Sequence, residues 1–252
     1  DLGTTNSVVA IMNDVGRPEV VKNEFEDELT PSFVAVNSRG ELAVGLTAKN
    51  IAFRDPDNGR GGFKRFLREA GNNYVFEPPA TGGSYSAVEL SSILLKELCR
   101  NAAVMLKGNP SSAVITVPAV FGEVEKRNIM EASREAGLID IHLVQEPVAA
   151  GLAYGWDRAE DTRPFLIYDI GGGTFDLSLM RCEAGQLMVI AHKGEAVLGG
   201  RDIDAWLLDD VVLPKLKDRV SQEELTSRRP VLLQLCETAK ERLSRSDTYS
   251  IA

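Results

Sequence analysis

The chain has no apolar run approaching the ~20 residues that a membrane-spanning helix needs, and no N-terminal signal pattern precedes its first polar turns. Its cysteines, Cys99, Cys182 and Cys236, are odd in number, far apart and never in a C-x-x-C pair. That excludes a disulfide framework or a zinc site and implies buried free thiols in a reducing, cytoplasmic compartment. Positive charge is in deficit, with 28 Lys and Arg against 37 Asp and Glu and a net charge of −9. A broad nucleic-acid or anionic-membrane surface is thereby excluded, so any phosphate binding must be local. Two common phosphate motifs are also missing: there is no G-x-x-x-x-G-K-[ST], and the one run of three glycines leads into a strand pattern rather than the helix of a dinucleotide fingerprint. An initiator Met is absent as well, and Asp1 stands where a buried strand should already be ending, so residues are expected in front of it.

What remains is globular in composition: 252 residues, 44% hydrophobic and 26% charged, enough for one large domain or two ordinary ones. The chain is organised around Phe165 to His192. Phe165, Leu166, Ile167 and Tyr168 end abruptly at Asp169, and after Gly171-Gly172-Gly173-Thr174 the residues Phe175, Leu177 and Leu179 alternate with Asp176, Ser178 and Met180. This reads as strand, glycine turn, strand. Bare backbone N–H groups in such a turn can wrap an anion, and Thr174 adds a hydroxyl. A tight hairpin whose glycines serve only positive φ is the competing reading for one isolated turn.

A second copy weakens that competitor. Asp1-Leu2-Gly3-Thr4-Thr5 again sets an Asp before Gly and Thr, followed by an apolar strand Val8 to Ile11, a turn at Asp14-Val15-Gly16 and Val20-Val21. The later copy runs in the same order through Glu183-Ala184-Gly185 and Leu187 to Ala191. An internal duplication would bring two Asp-ended strands and two Gly/Thr turns face to face, gripping phosphates and a divalent ion between them.

Along the chain, Phe33 to Val36 is extended, and residues from about 38 to 84 read as an inserted subdomain with a loop at Asp55 to Gly59. Ser86-Ala87-Val88-Glu89 matches a capping box, opening a helix that ends near Lys107-Gly108. Ala113 to Val117 is a buried strand, Glu123 to Ala136 a helix stopped by Gly137, His142 to Val144 a short strand, and Val148 to Tyr154 a helix opened by Pro147. After the second turn the pattern predicts a helix over 203–213, a polar stretch 221–229 and a helix opened by Pro230, with a strand beginning at Ile251. Residues 1–160 form the expected first lobe and 161–252 a second lobe that lacks its later strands and helices.

Asp1-Leu2-Gly3-Thr4-Thr5-Asn6-Ser7 and Asp169 to Asp176 resemble the phosphate loops of the actin-like ATPases. Together with Val114-Ile115-Thr116-Val117-Pro118-Ala119, Glu146 to Gly155 and Leu198-Gly199-Gly200, they resemble more narrowly the nucleotide-binding domain of the seventy-kilodalton heat-shock chaperones of the DnaK type. The resemblance covers essentially the whole chain. It implies an α/β class with a duplicated ribonuclease-H-like fold, mixed sheets flanked by helices, and ATP hydrolysis driving a chaperone. It further implies that Asp1 and Asp169 hold hydrated Mg²⁺, and that Gly3, Thr4, Thr5, Asn6, Gly171, Gly172, Gly173, Gly199 and Gly200 cradle the phosphates of ATP or ADP. Lys64 would sit at the γ-phosphate, Glu146 would order the attacking water with Thr174 and Asp176 beside it, and Glu237, Lys240 and Ser244 would contact the adenosine.

Without the resemblance, Lys64-Arg65 is an ordinary solvated basic pair, Glu146 a helix cap, and Glu237, Lys240 and Ser244 a polar helix face at i, i+3 and i+7. The implied partners are a J-domain co-chaperone, a nucleotide-exchange factor and unfolded client peptides held by a domain absent from this chain. Two departures stand out: Arg201 where the family carries an acidic residue after Leu198-Gly199-Gly200, and Lys126 where it carries Arg. The family's adenine-closing Gly-Gly-x-x-Arg element, which comes from the other side, is expected beyond Ala252. A sugar or small-acid kinase on the same fold, and a nucleotide-sensing scaffold without turnover, are the alternatives.

Overall fold

A computed structural model of the chain describes residues 1–68, 74–155, 163–195 and 197–251. Short strands dominate its beginning. β1 (Asn6–Ser7) pairs antiparallel with β4 (Thr30–Pro31), while β2 (Ala10–Met12) and β3 (Pro18–Val20) form a hairpin. That hairpin turns at Asp14-Val15-Gly16, where Gly16 takes φ +72°, a conformation that suits a residue without Cβ. β5 (Phe33–Val36) then runs between β6 (Leu42–Val44) and β7 (Gly59–Gly61), with helix α1 (Gly45–Arg54) linking the outer two. β8 (Tyr74–Phe76) and β9 (Tyr85–Ser86) make a further antiparallel pair.

The expected capping box is present. Ser86 N–H donates to Glu89 Oε2 at 2.8 Å and Glu89 N–H donates to Ser86 Oγ at 3.2 Å, which fixes the start of α2 (Ala87–Leu106). Its end is set by Lys107 in the left-handed region at φ 55°. β10 (Ser112–Val117), α3 (Glu123–Glu135) and β11 (Asp140–Gln145) form a parallel β-α-β unit whose register aligns Val117 with Gln145. Both strands therefore end at one edge, where α4 (Glu146–Ala153) begins.

β12 (Phe165–Ile170), β13 (Phe175–Glu183) and β14 (Gln186–Glu195) are a three-stranded antiparallel meander. Asp169 pairs with Asp176 across the glycine turn, and Glu183 pairs with Gln186 across Ala184-Gly185, both at positive φ in a two-residue turn. Beyond it come α5 (Gly200–Trp206), a π-helical segment Leu207–Val212, α6 (Leu213–Leu216), α7 (Gln222–Ser227) and α8 (Arg229–Leu243). The class is mixed α/β, with several small sheets among helices.

The core gathers Leu2, Val34, Val36, Phe63, Leu90, Leu94, Ile115, Val117 and Ile129 from both ends of this N-terminal part. Leu2 is 2% exposed, so the loop that carries Asp1 and Gly3 is pinned to the core by its own side chain. An apolar cavity of about 530 Å³ lies between β2, β10 and α2.

Several expectations need correction. The polar stretch 221–229 contains α7, because Ser221 Oγ accepts the Glu224 N–H as a cap that the surrounding charges conceal. The helix predicted over 203–213 starts at Gly200, loosens to π geometry at Leu207 and ends as α6. Helix α1 falls inside the predicted insertion, where no cap side chain announces it. Ile251 is not in a strand, and Ala252, where the expected strand would continue, lies outside the described residues. The alternation expected of β13 holds, and its buried face carries Asp176, Ser178, Met180 and Cys182. The strand expected over Val8 to Ile11 is β2 (Ala10–Met12), which forms its own hairpin with β3 while β1 pairs with β4.

Candidate functional site

Two loops face each other across a cavity of about 470 Å³, a size that suits a small ligand. The first, Asp1 to Asn6, is tied down by a short network. Gly3 N–H donates to Ser7 Oγ at 3.2 Å, Ser7 and Ser32 hydroxyls meet at 3.0 Å, and Ser32 Oγ donates to Gly3 O at 2.8 Å. A Cβ on Gly3 would run into the Asn6 carbonyl, so only glycine lets the loop fold this tightly. Thr116, near the end of β10, donates its hydroxyl to Asp1 Oδ1 at 3.3 Å.

The second loop is Gly171 to Thr174, closed by Gly171 N–H to Thr174 O at 2.9 Å. None of its three glycines has positive φ, so the simple hairpin explanation fails. They are needed for proximity instead. A Cβ on Gly172 would strike Thr5, and one on Gly173 would sit 2.8 Å from Arg65 Nε and Thr4 Oγ1. From behind, Gly200 N–H donates to Gly171 O and Arg201 N–H to Gly172 O, both at 3.0 Å. Gly199 permits this docking, since its Cβ would come within 2.6 Å of Gly173 N.

Between the loops lies an ion pair. Lys64 Nζ is 3.2 Å from Glu146 Oε1, with the side chains 5% and 17% exposed. Lys64 also lies over the Phe121 ring at 5.4 Å. Burial pushes the Glu146 carboxyl above the usual range; Lys64 opposes the rise, while Asp169 and Asp176 add to it. Glu146 is the first residue of α4 but makes no cap hydrogen bond, so the plain helix-cap reading is not what its side chain does. Asp176 is 3% exposed and both its oxygens lack a partner in hydrogen-bond geometry, although the Val120 backbone N–H acts to lower its pKa. Burial, then Asp169, raises its pKa, with His192 and Lys64 acting in the opposite sense.

The cavity thus brings together Asp1, Gly3, Thr4, Thr5, Asn6, Lys64, Glu146, Asp169, Gly171, Gly172 and Thr174. Gly173, Gly199 and Gly200 support its wall, and Asp176 lies behind Asp169. Glu237, Lys240 and Ser244 fall outside it. Glu237 pairs with Lys49 at 2.9 Å, Lys240 bonds Asp204 at 2.6 Å and Gly200 O at 2.7 Å, and Ser244 turns its hydroxyl back to Lys240 O at 3.3 Å.

Residues that sequence reasoning missed include Thr116, Phe121 and the bidentate Arg65–Asp202 pair, at 3.1 and 2.5 Å. Thr116 lies within a quoted motif, where strand alternation already marks it. Nothing in the sequence couples Arg65 to a residue so far along the chain.

Among the described residues no group of three His, Cys, Asp or Glu side chains is close enough to grip a bare ion. Asp1, Asp169 and Glu146 do, however, line one open cavity.

The sequence profile described as Hsp70 protein matches residues 1–252. This chain belongs to the Hsp70 family. The Hsp70-family chain is 40% identical over 209 residues to "Chaperone protein DnaK" of Thermotoga neapolitana, an alignment that covers 83% of it and 34% of that relative. The same figures, 40% over 209 residues, 83% and 34%, hold for "Chaperone protein DnaK" of Thermotoga maritima. It therefore spans about a third (34%) of the length of the curated relatives it matches. No helix among the described residues is long and apolar enough to cross a membrane.

Proposed function

We propose that the chain binds MgATP between the two Gly/Thr loops and hydrolyses it, as the nucleotide-binding part of a DnaK-type chaperone in the cytoplasm. The observation that carries this reading is the buried Lys64–Glu146 pair set between facing glycine loops with Asp1 and Asp169 in the same cavity. With the N–H groups of Gly3 and Gly171 spent on closing their own loops, those of Thr4, Thr5, Gly172, Gly173 and Thr174 hold the phosphate chain, and the closeness enforced by Gly172 and Gly173 keeps both loops in register with it. Asp1 and Asp169 hold a hydrated Mg²⁺, which when bound neutralises charge on the phosphate oxygens. Lys64 offsets charge that develops on the transferred phosphoryl group. Glu146, ionised and held by Lys64, accepts a hydrogen bond from the attacking water, with Thr174 and Asp176 beside it.

We further read the chain as two lobes, 1–160 and 161–252, of a duplicated actin-like fold, with residues 38–84 as an insertion. Glu237, Lys240 and Ser244 take the adenosine side; Lys240 would then exchange its bonds to Asp204 and Gly200 for ligand contacts. J-domain co-chaperone, exchange factor and client peptides follow from the family alone.

Single-turnover hydrolysis in ¹⁸O-labelled water tests the reading against a kinase. Release of labelled inorganic phosphate with no acceptor added is expected. Phosphate transfer that begins only when a sugar or small acid is supplied would assign a kinase.

A further inference from the structure

A second cavity, about 460 Å³, lies between the β5–β7 sheet and α8 and shares only Thr5 with the phosphate cradle. Its charges do not balance. Arg229 is committed to Asp209 by two hydrogen bonds at 2.6 and 2.8 Å. The two carboxylates on its wall are already neutralised, Asp204 by Lys240 at 2.6 Å and Glu237 by Lys49 at 2.9 Å. Arg60 and Arg201 are left over. Neither makes a hydrogen bond or ion pair from its guanidinium among the described residues, and Arg60 Nε and Arg201 Nη1 are shut away from water with no acceptor.

Each of these guanidiniums lies over a ring, Arg60 over Phe66 at 5.2 Å and Arg201 over Phe33 at 5.8 Å. A ring face attracts a cation but does not satisfy the N–H groups in the guanidinium plane, which point outward from the fork. Burial lowers the pKa of both, yet arginine stays protonated, so two positive charges persist side by side. The backbone is shaped around this arrangement. A Cβ on Gly61 would enter the Phe33 ring, and one on Gly62 would enter the Arg201 guanidinium. Two guanidiniums with idle donors border one open cavity, and the carboxylates that attract Arg201, Glu237 and Asp204, are already paired with lysines, so the pair lacks an anion of its own.

We propose that this cavity is a second anion site, in which Arg60 and Arg201 hold a small phosphorylated compound while the cradle on the other side of Thr5 holds its own ligand. Planar forks of this kind match phosphoryl oxygens in bidentate fashion, and the volume admits a pyrophosphate-sized group or a small phosphate ester but no folded partner. The site goes beyond the ATP reading, because none of its ligating residues belongs to the phosphate cradle.

Calorimetric titration of the full natural chain with pyrophosphate, at constant magnesium and with or without saturating MgATP, tests it. One equivalent of pyrophosphate should still bind when MgATP is saturating, and Arg60→Gln and Arg201→Gln should each weaken that binding at least tenfold, with MgATP affinity in the Arg60→Gln protein staying within twofold. Should Arg201→Gln fail to fold by circular dichroism, Arg60→Gln carries the test. Tighter binding of ADP than of pyrophosphate at this second site would identify the occupant as a nucleotide, and the reverse order as the inorganic anion. Complete displacement by MgATP, indifference to both substitutions, or an equal loss of MgATP affinity in the Arg60→Gln protein would overturn the proposal. Arginine-dependent pyrophosphate binding in a chain that fails to bind MgATP would leave this site standing and reject the ATP reading instead.

Discussion

Replacing Lys64 by Ala removes one member of the buried pair on which the proposed chemistry rests. The partner left behind, Glu146, is only 17% exposed and already carries a raised pKa because of burial. Breaking a buried pair costs about 3–5 kcal/mol, and the remaining exposure of Glu146 points to the lower end, about 3 kcal/mol. The cost should depend on pH. A carboxyl whose folded pKa lies above its unfolded value loses stability as pH rises through that interval, and removing Lys64 takes away the charge that opposes the rise. Denaturant unfolding should therefore show a smaller penalty at about pH 5, where Glu146 binds a proton readily, than at about pH 8, where it is ionised and unpaired. Adding Glu146→Gln should recover at least half of the loss at the higher pH, since no charge is then left buried alone. In single-turnover assays the Lys64→Ala protein should hydrolyse ATP on the order of 10²-fold more slowly with ATP binding largely retained. A penalty that is equal at both pH values and unrelieved by Glu146→Gln would refute the pairing argument, and a loss confined to binding would make Lys64 a ground-state anchor.

Other substitutions probe the remaining walls. Asp169→Asn should make ATP affinity less dependent on Mg²⁺ while the fold persists; an unchanged dependence, measured with and without the metal, would reject the two-carboxylate site. Asp176→Asn removes a buried carboxylate without a partner, so thermal unfolding at pH 8 should show stabilisation of about 1 kcal/mol that fades toward pH 4, because the raised pKa makes Asp176 costly only once ionised. Hydrolysis should fall in the same variant, and a destabilised Asn variant would contradict the unpartnered geometry. Gly199→Ala keeps an allowed extended backbone but places Cβ 2.6 Å from Gly173 N, so overpacking should cost about 1–3 kcal/mol and weaken ATP binding by calorimetry. Full affinity there would mean that the docking of Gly199 to Arg201 is dispensable.

Much of this was legible because it is local. The capping box at Ser86, the Asp-ended strand at Asp169 and the glycine turns are short patterns with a physical cause inside the pattern. The two Gly/Thr turns were legible as a pair, and the structure sets them on one cavity. Illegible were the features that depend on distant chain. The purpose of Gly171 to Gly173 depends on Thr4, Thr5 and Arg65, so their spacing reads the same as that of a positive-φ hairpin. The buried polar face of β13 depends on what covers it, which alternation alone cannot assign. Helix α7 was hidden by charge, and the Arg65–Asp202 pair by sequence separation.

A structure of the full natural chain with Mg²⁺ and a non-hydrolysable ATP analogue tests the central claim most directly. The triphosphate should lie between Gly3 to Thr5 and Gly171 to Thr174, with a hydrated ion between Asp1 and Asp169 and Lys64 Nζ within hydrogen-bond distance of a γ-phosphate oxygen. A triphosphate bound elsewhere, or one with Lys64 still closed on Glu146 and out of reach of the γ-phosphate, would contradict it.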